Sequence, residues 1–145
     1  MNPSSNFTPA ERRESLGAGI LAAVSLTAIA LFLLGVNSLL LDRPLVPDLD
    51  LAVRGAIAGA SGFLFGATYR YIIRRDDNSH LKQGAVLAFG LVRGLAIAEA
   101  GLTRGEPLPQ LVLGGTESLL MFAGTAIVLD FALRRRWIAP FPSEK

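Results

Sequence analysis

Six ionisable residues stand inside stretches that are otherwise apolar: Arg54, Arg70, Arg93, Glu99, Glu117 and Asp130. A charge taken out of water is costly unless an opposite group meets it, so each implies either a partner or a task. Acid and guanidinium placed together can lock neighbouring helices in register as an ion pair. The same groups can instead relay ions or protons. Little else in the chain suggests chemistry. There is no HExxH, GxSxG, P-loop or paired-acid lipid-synthase pattern. Gly114-Gly115-Thr116 is too short for a phosphate loop and lies within an apolar run. Asp76, Asp77 and Asn78 could bind a cation weakly, but read better as a capped turn. With no cysteine, thiolate metal sites and cysteine nucleophiles are excluded. The single histidine, His80, lies in a polar stretch, away from any apolar site where it could serve a haem. The expectation is a non-enzymatic protein with no catalytic residues, no metal and no cofactor.

The elements that must carry these charges are long and apolar. Half of the 145 residues are hydrophobic and 18% are charged, against roughly 25% charged in an ordinary soluble domain. The charges cluster between apolar runs. With a net charge of only +2, the basic pI is no sign of nucleic-acid binding. A bilayer core ~30 Å thick needs about 20 apolar residues in a helix. Four stretches qualify: 16–40, 51–73, 81–102 and 109–133. The first is too long for the hydrophobic region of a cleaved signal. A soluble four-helix bundle would need polar faces that these runs lack.

Local signals bound each run. Thr8-Pro9-Ala10-Glu11 is a capping box with proline at the first helical position, so the first helix is expected to start near Pro9. Asp42, Arg43 and Pro44 end it. Asp48 or Asp50 can cap the second helix, and Asn78 or Ser79 the third, which should end near Gly101. Pro107 and Pro109 bracket the start of the fourth; Arg134–Arg136 and Pro140 close it. The short connections predict one all-α domain, 1–145, with sequential helices antiparallel.

Lysine and arginine in the flanks are strongly asymmetric. Arg12, Arg13, Arg70, Arg74, Arg75, Lys82, Arg134, Arg135, Arg136 and Lys145 fall on one side, and Arg43, Arg54 and Arg104 on the other. The positive-inside rule then places both termini on the cytoplasmic or equivalent side, with Tyr69, Tyr71 and Trp137 at the inner boundary.

Depth along the helices groups the six charges. At ~1.5 Å per residue, Arg93 and Glu117 both lie about 18 Å from the inner face. Arg54 and Glu99 match near the outer boundary, Arg70 and Asp130 near the inner one. Three tiers of opposite sign follow: Arg54–Glu99, Arg93–Glu117 and Arg70–Asp130. A structural role is favoured. Thr116, Ser118 and Thr125 offer little polar lining for a path, and the first span carries no buried acid. Packing faces are also expected where small residues recur. Gly55, Gly59, Gly62 and Gly66 form one stripe on the second helix, with Gly90 and Gly94 on the third.

The stretch Phe65-Gly66-Ala67-Thr68-Tyr69-Arg70-Tyr71, with Arg74-Arg75-Asp76-Asp77-Asn78, Leu81-Lys82-Gln83-Gly84 and Ala88-Phe89-Gly90-Leu91-Val92-Arg93-Gly94, resembles the central signature of a small four-helix membrane-protein family of cyanobacteria and chloroplasts. The resemblance implies a thylakoid or plasma-membrane protein, accessory to photosynthetic complexes or their assembly. It brings no catalytic residues. The Glu-x-x-Asn-x-x-Arg pattern of chlorophyll-binding helices is missing. The partners expected are the lipid bilayer and either further copies of the chain or a larger membrane complex, without nucleic acid. The competing expectation is a small oligomeric transporter of ions, protons or solutes that uses Arg93 and Glu117.

Overall fold

The computed structural model describes residues 9–40, 47–73 and 79–138. These form four helices: α1 (Pro9–Leu40), α2 (Leu49–Ile72), α3 (Ser79–Thr103) and α4 (Leu108–Arg134). All four are long and apolar enough to cross a membrane. Their outer surfaces are correspondingly apolar, with Phe32 69%, Val92 70% and Ile127 71% exposed.

Proline and aspartate set the helix starts. Pro9 opens α1, where its missing N–H removes a donor that would have had no partner anyway. Thr8, the other half of the expected capping box, lies outside the described residues, as do Asp42, Arg43, Pro44, Asn78 and Pro140. Asp48 caps α2, accepting from the Leu51 backbone N–H at 2.9 Å. Pro107 is the N-cap of α4. α3 runs two residues beyond Gly101 and closes with the Glu106 N–H bonded to the Gly101 carbonyl and Gly105 in the left-handed region at φ 73°. α4 ends in the same way. The Trp137 N–H reaches the Ala132 carbonyl, the Arg136 N–H reaches Leu133, and Arg136 takes φ 57°. Both are Schellman closures, one built on glycine and the other on arginine.

Neighbouring helices run antiparallel, and the contacts fix their register. Gly62 and Gly66 of α2 lie against Ala18, Ala22 and Ala23 of α1. A Cβ at Gly62 would stand 2.7 Å from the Ala22 carbonyl oxygen, and one at Gly66 would collide with the Ala18 carbonyl. Gly90 and Gly94 do the same for α3 against α4; a Cβ at Gly94 would lie 3.1 Å from Gly115 Cα. α1 also packs along α4. α2 and α3 touch over a much shorter length, and α1 and α3 do not touch among the described residues. The bundle is therefore two tight hairpins, α1–α2 and α3–α4, joined mainly through α1 and α4.

Its centre is aromatic. Phe65, Phe89 and Phe122, one each from α2, α3 and α4, stand with ring centroids 5.1–5.8 Å apart. Their tilted and edge-on geometries are those favoured by ring quadrupoles. Leu26 and Leu129 close the core around them. Because the rings hold three helices at one level, they also fix where the polar side chains one or two turns away must stand.

Candidate functional site

Two polar clusters interrupt the apolar helices. The first gathers around Asp130, two turns beyond Phe122 on α4. Tyr69 Oη donates to Asp130 Oδ1 at 3.1 Å. Lys82 Nζ, from the first turns of α3, approaches both carboxylate oxygens at 3.4 Å. Tyr69 is buried, and its ring is held 5.1 Å from Phe65. Beside it on α2, the buried Arg70 turns toward α1, where Nη1 donates to the Glu11 carbonyl at 3.1 Å and to Ser15 Oγ at 2.6 Å. The two neighbouring side chains of α2 therefore bond to two different helices, Tyr69 to α4 and Arg70 to α1, while Lys82 of α3 joins the cluster through Asp130.

The second cluster lies toward the other end. Asn37 of α1 donates from Nδ2 to Glu117 Oε1 at 2.5 Å, an amide–carboxyl bond across the α1–α4 contact. Arg93 stands one turn from Phe89 and Ser118 one turn from Phe122, in the same axial direction. Arg93 Nε and Ser118 Oγ are buried, with no hydrogen-bond partner among the described residues. The neighbouring hydroxyls differ: Thr116 donates to the Val112 carbonyl and Thr125 to that of Met121, each satisfied within its own helix.

The tiers expected from depth are rearranged. Arg54 is exposed and bonds Asp50, one turn earlier on α2, at 2.7 Å; Glu99 is exposed on α3. Glu117 takes Asn37 where Arg93 was expected. Asp130 takes Lys82 and Tyr69 where Arg70 was expected. The reason is rotational. Depth gives a residue's height on its helix, but the direction in which it points decides which neighbour it can reach, and a flexible lysine can carry its charge several ångströms from its Cα. Asn37 and Tyr69 escaped the charge-based reading because both are uncharged. A polar amide near the end of a long apolar helix was the available signal for Asn37.

Of the expected packing glycines, Gly62, Gly66, Gly90 and Gly94 stand at close helix approaches. Gly59 has ordinary room 3.6 Å from Thr27 Oγ1, and Gly55 faces open space. Asp76, Asp77 and Asn78 lie outside the described residues. His80 is exposed at the start of α3. Among the described residues, no three of His, Asp and Glu converge as a metal site would require.

Chemically, the Asp130 cluster is an anchored carboxylate at one end of the helices, and the Asn37–Glu117 bond joins two helices directly. Comparison with protein-family models, curated proteins and solved structures gives no match to this chain.

Proposed function

We propose that the chain is a non-enzymatic, multi-pass membrane protein that acts as an accessory or assembly element, packing with further copies of itself or with a larger membrane complex. All four helices cross the bilayer in this reading, with both termini on the cytoplasmic or equivalent side. The membrane is a bacterial plasma membrane or a thylakoid membrane, in keeping with the family resemblance.

The observation that supports this reading is Arg93. A guanidinium at mid-span costs about 2.5–3.5 kcal/mol on insertion scales when unpaired. Its Nε is buried without a partner among the described residues, and the nearby Glu117 is engaged by Asn37. Arg93 as a whole is only partly buried, so a carboxylate from a neighbouring protein has access to its charge. Beside Arg93, the thin α2–α3 contact leaves Ile57 51% and Val92 70% exposed, an apolar flank on which a partner helix can lie.

The test is photo-crosslinking from position 92 in native membranes, followed by purification under mild detergent. The expected result is a discrete crosslinked species that is lost in Arg93→Gln while the protein still accumulates. Unchanged crosslinking in that variant, or no crosslinked species at all, counts against the reading. The transporter alternative rests on the same mid-span groups, Arg93 and Glu117. It predicts ion flux in liposomes that Glu117→Gln abolishes without loss of assembly.

A further inference from the structure

α3 and α4 are closest at Gly90 and Gly94, and toward the start of α3 they leave a groove of about 530 Å³ between them. Its lining is graded. Tyr69, Lys82 and Asp130 occupy the end nearest the helix termini, whereas Val86, Leu87, Ala123 and Ile127 form the walls toward the middle of the helices. One end is ionic and the other apolar, and the groove opens on the bundle's flank. Taking the chain as membrane-spanning, as above, a phospholipid is the molecule that shares this gradient: its headgroup would sit at the helix ends and an acyl chain would run along the walls.

The charges select among phospholipids. Asp130 and Lys82 contribute one charge of each sign, at 3.4 Å, longer than the roughly 2.7–2.9 Å of a tight charge-assisted bond. A carboxylate has about four acceptor positions, more than Tyr69 and Lys82 together require. The pair can therefore open to take a second zwitterion head to tail.

We propose that this groove binds a zwitterionic phospholipid with a primary ammonium headgroup, its ammonium on Asp130 and its phosphate on Lys82. A quaternary headgroup has the same charge but no N–H to give Asp130. An anionic glycerol headgroup would meet Lys82 but would place its net negative charge beside Asp130.

Native mass spectrometry of the full chain released from nanodiscs of mixed ethanolamine, choline and glycerol phospholipids tests this. One ethanolamine phospholipid is expected to be retained in roughly three- to tenfold preference over the choline lipid, the span of one net hydrogen bond. Asp130→Asn should abolish that preference. Ala123→Phe, which fills the wall and leaves the ionic end intact, should remove the retained lipid altogether. Equal retention of ethanolamine and choline lipids by the wild-type chain overturns the proposal, as does a preference for the glycerol lipid. A preference that survives both substitutions overturns it too. A chain that stays in the aqueous fraction without detergent overturns the membrane reading itself, whereas a chain that enters nanodiscs without lipid preference overturns only the groove.

Discussion

Asn37 and Glu117 join α1 to α4 by a single side-chain bond, and its strength can be isolated. In an apolar medium such a bond has no water to compete with it, yet interhelical polar contacts in membranes contribute only about 0.6 kcal/mol on average and up to about 1.7. A double-mutant cycle of Asn37→Leu and Glu117→Leu should give a coupling within that range; equilibrium unfolding in mixed micelles measures it. Arg136 offers a test in the opposite direction. Its left-handed backbone at φ 57° costs a residue with a Cβ roughly 1–2 kcal/mol. Arg136→Gly is therefore expected to stabilise the chain by about 1 kcal/mol in the same assay.

At the level of elements, the helices separate into close approaches and open flanks, and glycine marks both. Gly66→Ile should prevent correct α1–α2 packing, since even a Cβ there would meet the Ala18 carbonyl, and overpacking of this kind typically costs about 1–3 kcal/mol. Gly55→Ile, facing open space on the same stripe, should leave the thermal midpoint in detergent within a few degrees of wild type. The four helices were legible in the sequence because apolar length is a one-dimensional property, readable without knowing any neighbour. So were the Pro9 start and the choice of Asp48 or Asp50 as the cap of α2. The side-chain partners were not. Arg93 and Glu117 share a height, but Glu117 faces α1 and Arg93 does not. Rotation about a helix axis is decided by the neighbours' own packing, here by Gly94 against Gly115 and by Ile29 against Gly124. That the Gly62–Gly66 stripe could serve for packing was readable; that its partner is the Ala18–Ala22 face of α1 required the fold.

For the whole molecule, the arrangement of charge makes a prediction about sidedness. The chain contains no cysteine, so single cysteines introduced by Ser5→Cys, Gly105→Cys and Ser143→Cys report orientation without background. In sealed inside-out vesicles an impermeant maleimide should label positions 5 and 143 and spare position 105; right-side-out vesicles should reverse this. Labelling of all three from one face would rule out four crossings with both termini inside.

The division into two hairpins, each sealed by its own glycine contacts and joined to the other mainly along α1 and α4, bears on how the protein is made. A hairpin whose two helices already satisfy each other can enter the bilayer as a pair before the rest of the chain has been synthesised. Biogenesis then becomes the docking of two preformed halves along α1 and α4. Severing the gene between the codons for Ile73 and Ser79 and expressing the halves as separate polypeptides should accordingly yield a complex that co-purifies, whereas a cut between Thr103 and Leu108 should leave α3 an orphan open to proteolysis.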